Sequence, residues 1–175
     1  MLEREEYVEQ AHLFRTLGER LADNVPMQEL LEYTARRTRS AIANLPHGVY
    51  DAEGTVDVDG YTDEPVRLAA RIEITADGVA FDLTGSDPQR RAPVNSTYAQ
   101  TFSACAYALK CLIDPDLPVN DGFYRLVQLD APAGSVTNCT WPSPVVGGWE
   151  TQTRLVDVIF RSSGGIVLDD EVVER

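Results

Sequence analysis

The chain has 175 residues, 43% hydrophobic and 25% charged, enough for one domain with a real core and too few for two ordinary ones. Its formal charge of −13 excludes a nucleic-acid footprint and a basic membrane-binding face. No apolar run reaches the length of a membrane span, and the first residues are acidic where a secretion signal is basic. Cys105, Cys111 and Cys139 form no CxxC pair, so a reducing, cytoplasmic setting is expected, and the sequons at Asn95 and Asn138 read as coincidence.

Residues 3–24 set Tyr7, Ala11, Phe14, Leu17 and Leu21 on one face of an amphipathic helix. Asn24-Val25-Pro26 marks a stop and a restart, with the proline in the first turn of a second helix. That helix is expected to turn Leu30, Leu31, Thr34, Thr38, Ala41 and Ile42 inward. It sets Arg36, Arg37 and Arg39 toward its C-terminal end, where the macrodipole favours cations. Strands follow at 48–57, 66–75 and 79–83, with alternation clearest from Arg71 to Thr75 and a turn at Ala76-Asp77-Gly78. Residues 96–113 read as a third helix with Ala99, Phe102, Cys105, Ala106, Leu109, Leu112 and Ile113 on its apolar face, stopped by Asp114-Pro115-Asp116. A turn over 118–122, a strand over 124–129 and a last helix over 149–160, burying Leu155, Val158 and Ile159, complete the chain. Blocks of helix and blocks of strand point to an α+β fold: an N-terminal helical pair, then a mixed, largely antiparallel sheet with two further helices.

Chemistry has few places to sit. His12 and His47 are isolated, no His/Cys/carboxylate group has metal-ligand spacing, and neither a P-loop nor a G-x-S-x-G elbow occurs. Several loops rich in small and hydrogen-bonding residues remain. Gly85-Ser86-Asp87 reads either as an anion-binding nest or as an Asx-type turn ahead of Pro88. Asn95 and Ser96 either cap the third helix or present its free amides to a carbonyl or carboxylate. Asn120-Asp121-Gly122 is a turn by composition, and Arg125 is either a surface charge or a group facing the same region. Gly147-Gly148-Trp149 opens the last helix, its tryptophan sealing a core edge or stacking on a ligand. The candidate substrate-binding set is therefore Gly85, Ser86, Asp87, Asn95, Ser96, Asn120 and Arg125, with no catalytic residue assigned.

Three stretches, FDLTGSDPQRRAPVNST, AYALKCLIDPDLPVNDGFYR and LDAPAGSVTNCTWPSPVVGGWETQTRLVDVIF, together resemble the hydantoinase B family, over residues 30–161. That family includes the B subunits of N-methylhydantoin amidohydrolases, the C-terminal half of 5-oxoprolinase and subunits of acetone carboxylase-type enzymes. The resemblance implies part of a B-type subunit that opens a cyclic amide such as a hydantoin or 5-oxoproline. ATP and Mg²⁺ would be handled by a hydantoinase A-type partner within a homo- or hetero-oligomer. A ketone carboxylase subunit, or a non-catalytic interaction module derived from the family, are the alternatives. Family members are several times longer, and their N-terminal Asp/His region, which holds a metal in some, has no counterpart here. Residues 1–26 are expected to lie outside the match, leaving 27–175 as a partial family domain, and Trp149 stands where many members carry Asn.

Overall fold

A computed structural model of the protein describes residues 27–57 and 60–162. The expected helix over 3–24, with His12 and the Tyr7/Phe14/Leu21 face, lies outside them. The described elements run α1 (Met27–Ala43), β1 (Gly48–Val56), β2 (Val66–Thr75), β3 (Gly78–Asp82), α2 (Tyr98–Ile113), α3 (Asp121–Tyr124), β4 (Val127–Asp130) and α4 (Gly148–Ser162). The fold is α+β. Its four strands lie in the order β1-β2-β3-β4, antiparallel at the first two seams and parallel between β3 and β4. The parallel seam needs a crossover, which the chain supplies through α2 and α3.

Strict alternation along β2 decides which side of the sheet is core. Val66, Leu68, Ala70, Ile72 and Ile74 are all buried, while Arg67, Arg71 and Glu73 stand on the outer face. Val79 and Phe81 of β3 continue the inner face, and α4 covers it with Leu155, Val158 and Ile159. Helix α2 packs on α4 through Ala104, Cys105 and Ala108. Outside, Asp51 of β1 sits opposite Arg71 in register and is bridged by its guanidinium at 2.8 Å, and Arg67 pairs with Glu53. Those hydrogen bonds hold both carboxyls below the usual carboxylate range.

Helix α1 buries a narrower stripe than its apolar spacing predicts. Thr34, Thr38 and Ile42 are buried, whereas Leu30 is 42% exposed, beside the exposed Met27 and Tyr33. The two threonines return their hydroxyls to the carbonyls of Leu30 and Thr34, which satisfies them inside the helix. Arg37 bridges to Asp114 at 2.5 Å, tying α1 to the end of α2.

The chain departs furthest from expectation after α2. A strand over 124–129 is replaced by the short helix α3, and the strand begins only at Val127. The cause is tertiary. Asn120 caps Gly122 through its side-chain oxygen at 2.9 Å and donates to the Thr34 hydroxyl at 2.9 Å. The Leu31 carbonyl lies so close to Gly122 that any Cβ there would collide with it. Smaller shifts occur at the start of α2, where the Thr97 cap sets the boundary, and by one or two residues at the ends of α4.

Cys105 is fully buried in α2, and burial pushes its thiol from 9.0 up to about 12. The folded chain therefore keeps a proton that the unfolded chain releases above 9.0, so this contribution to stability is present at lower pH and is lost between 9.0 and about 12. Urea unfolding at stepped alkaline pH is expected to show a shallower loss of stability in Cys105→Ala than in the parent. Equal slopes would mean that Cys105 is not the group responsible.

Candidate functional site

Beyond β3 the chain keeps bonding to β2 with side chains as well as backbone. The Ser86 hydroxyl accepts from the Ala69 N–H and donates to the Ala69 carbonyl, both at 3.1 Å. The Asp87 N–H donates to the Arg67 carbonyl at 3.0 Å, and its carboxylate accepts from the Arg67 N–H at 3.0 Å and from Arg90 Nη2 at 2.7 Å. Gly85 does not adopt positive φ, and the Ser86 and Asp87 amides are spent on Leu83 and Arg67, so no anion nest forms there.

Asn95 organises the rest of this segment. Its side-chain oxygen accepts from the Arg90 N–H at 2.7 Å, and its amide nitrogen lies 2.8–2.9 Å from the carbonyls of Arg90, Ala92 and Pro144. The residue has 0% exposure, as does Ser96. Ser96 donates its backbone N–H to the Val136 carbonyl, accepts from the Cys139 N–H at its own carbonyl, and sets its hydroxyl 3.0 Å from that of Thr101. The cap of α2 is neither of them. Thr97 caps it, in a reciprocal capping box with Gln100. Thr97-x-x-Gln100 is a sequence signature of such a box and was the signal available to place the helix start.

Two further strips are laced to the segment over residues 84–97. On one side lie residues 134–139: Gln89 donates to the Gly134 carbonyl, Val136 to Asp87, and Thr101 Oγ1 to the Thr137 carbonyl at 2.6 Å. On the other lie residues 140–151. Gln89 Oε1 accepts from Thr140, Gly147 donates to the Pro93 carbonyl at 2.7 Å, and Thr151 Oγ1 donates to the Val94 carbonyl. Gly148 is required by the closeness of this packing, since a Cβ there would come within 2.5 Å of the Asn95 carbonyl.

The result is a braced platform whose polar groups face inward. Large apolar side chains stand exposed on the last strip, with Trp141 94% exposed, Val146 82% and Trp149 62%, among the exposed polar residues Thr84, Arg91, Thr140 and Glu150. Asn120 and Arg125 belong to a separate cluster against α1, where Arg125 pairs with Asp121 at 2.6 Å. Gly85, Ser86, Asp87, Asn95 and Ser96 therefore meet in one place, and Asn120 and Arg125 do not join them. Sequence reasoning missed Trp141 and Val146, whose exposure nothing in their spacing signals. A polar groove of about 440 Å³ on the outer sheet face borders Gly85, and its guanidiniums, Arg67 and Arg71, are already paired with carboxylates. Among the described residues no group of three or more His, Cys, Asp or Glu is placed to hold a metal ion, and no helix is long and apolar enough to cross a membrane.

Comparison with known proteins places these features in a family. The model of the hydantoinase B/oxoprolinase family matches residues 11–173, so the chain belongs to that family. The match reaches into the segment that the motifs alone left outside. An uncharacterized protein of Methanocaldococcus jannaschii is 41% identical over 75% of this chain and 23% of its own length. 5-Oxoprolinase 1 of Arabidopsis thaliana is 32% identical over 77% of this chain and 11% of its own. The crystal structure of an ATP-dependent caprolactamase from Pseudomonas jessenii superposes with a TM-score of 0.73 at 25% identity, covering 93% of this chain and 28% of that one. The chain thus spans about a quarter or less of the proteins it matches.

Asn95→Ala removes a fully buried side chain with four hydrogen-bond contacts and is expected to cost about 2–4 kcal/mol in urea unfolding. Arg125→Ala, whose partner is an exposed carboxylate, is expected to cost less than about 1 kcal/mol. A cost at Asn95 as small as that at Arg125 would refute its role as the brace.

Proposed function

We propose that this member of the hydantoinase B/oxoprolinase family supplies the braced loop platform of a B-type subunit in an ATP-dependent cyclic-amide hydrolase. The observation that carries the reading is the direction of the side chains. Ser86, Asp87, Asn95 and Ser96 are bonded into the platform, while Trp141, Val146 and Trp149 stand in solvent. Indoles projecting from an immobile support make an association surface, because little ordering entropy is lost when they are covered. The substrate site is then composite: this chain gives shape and rigidity, and a second polypeptide covers the indoles. Gly85, Ser86, Asp87, Asn95 and Ser96 contribute to substrate binding as positioning residues that fix the loop. Binding of ATP with Mg²⁺ and phosphoryl activation of a lactam or imide fall to an A-type partner. The family match and the likeness to an enzyme described as an ATP-dependent caprolactamase support this division.

A second reading, a non-catalytic interaction module, is favoured by the same engagement of the polar side chains. The ketone-carboxylase branch differs from the hydrolase in its electrophile and would show bicarbonate-dependent ATP hydrolysis with ketones.

Co-expression with a hydantoinase A-type subunit, followed by native mass spectrometry and a lactam screen with ATP, separates these readings. A stoichiometric complex with ATP-dependent ring opening is expected. Trp141→Ala and Trp149→Ala should each weaken the complex by about 30-fold or more while leaving the melting temperature of the isolated chain unchanged. A complex that forms and turns over no lactam would leave the interaction module. No complex at all would remove the hydrolase assignment from this chain.

A further inference from the structure

The turn that carries Trp141 is held from one side chain. Hydrogen bonds fix the chain as far as Cys139, whose N–H donates to the Ser96 carbonyl at 3.0 Å, and again at Pro144, whose carbonyl accepts from Asn95 at 2.9 Å. Between these points residues 140–143 close on themselves, with the Ser143 N–H on the Thr140 carbonyl at 3.0 Å. Gln89 Oε1 accepts the Thr140 N–H at 2.8 Å and the Thr140 hydroxyl at 3.2 Å. Among the described residues, no other hydrogen bond joins these four residues to the rest of the fold.

Gln89 is itself a fixed post. Its N–H donates to the Gly134 carbonyl at 2.8 Å, and the next N–H, that of Arg90, is taken by Asn95 at 2.7 Å. Gln89 is half-buried and Thr140 is exposed. Water therefore replaces the acceptor at Thr140 when Gln89 is changed, and the bond contributes little to folding. Asn95 and Gln89 are carboxamides of one segment that brace the same strip. Asn95 is fully buried and serves four groups, whereas Gln89 serves one exposed residue beside Trp141.

We propose that Gln89 is a positioning residue for Trp141: it holds the 140–143 turn in one place on the platform, so that the indole meets its cover without a prior ordering step. Two donors of one residue on the two lone pairs of one amide oxygen fix the direction of the turn as well as its distance. A turn ordered in advance loses less entropy when it is covered, which sets the expected effect on association at about five- to tenfold. That effect rests on the platform reading above, whereas the ordering of the turn does not.

The test compares two variants of the full chain. Gln89→Met keeps the length of the side chain and removes the amide oxygen. Gln89→Glu keeps an acceptor and gives up only Nε2, which makes no hydrogen bond among the described residues. Backbone ¹⁵N order parameters at Thr140, Trp141 and Ser143 are expected at about 0.85 in the parent and in Gln89→Glu, and below about 0.6 in Gln89→Met. Melting temperatures should agree within about 3 °C. With the A-type partner, Gln89→Met is expected to bind about five- to tenfold more weakly, and Gln89→Glu like the parent. Added to Trp141→Ala, Gln89→Met should cost nothing further, because its effect passes through that indole; a merely structural role would add its own loss. The proposal is overturned by unchanged order parameters in Gln89→Met, by a Gln89→Glu turn as mobile as that of Gln89→Met, or by additive losses in the double variant. If the parent chain forms no complex, the platform reading fails and the order parameters alone decide the role of Gln89.

Discussion

A loop can run through the interior of a protein only if its backbone polar groups find partners there, and the Asn95 side chain meets that requirement here. An asparagine side chain carries the donors and acceptor of a peptide unit, so it substitutes for backbone where no second strand is available. By closing on Arg90 and Ala92 and reaching Pro144, it converts an irregular segment into a fixed layer. Ser86 and Asp87 do the same for β2 beyond the end of β3. Without the Asn95 side chain the Arg90 N–H and the carbonyls of Arg90, Ala92 and Pro144 would lose that partner, at a cost of about 1–3 kcal/mol for each group left buried and unsatisfied.

That constraint bears on what the loops leave outside. Polar residues of the segment are drawn inward to satisfy backbone, and the side chains left to face water on the adjoining strip include Trp141, Val146 and Trp149. A monomer gains nothing from such a surface, whereas an assembly gains a rigid contact at low entropic cost. The structural price of the inner packing therefore sets up the outer chemistry.

Much of the framework was legible in the sequence because it depends on local pattern. The alternation of β2 gave its bounds, and the 3.6-residue period of α4 gave its buried Leu155, Val158 and Ile159. Features made by distant partners were not legible. Asn95 reads as a cap because its partner Pro144 lies 49 residues away, and Asp121–Tyr124 reads as turn and strand because the Leu31 carbonyl that shapes it belongs to α1. Leu30 fits the inward stripe by spacing and is exposed because α3 covers only part of α1. Local chemistry does not show whether a hydrogen-bonding side chain will be spent on its own fold or left for a ligand, so Asn95 and Ser96 carry the same signal under either outcome.

Among the described residues, the laced loops and the β1 strand follow from different physics. At the laced loops the Ser86, Asp87, Asn95 and Ser96 side chains have partners, and Gly147 and Gly148 are fitted to the Pro93 and Asn95 carbonyls, so little can be added. At β1 the ladder stops with backbone groups aimed outward and the apolar side half-covered. The exposed ion pairs Asp51–Arg71 and Glu53–Arg67 line the outer face beside it, and charged side chains of this kind blunt an edge by making it costly to desolvate.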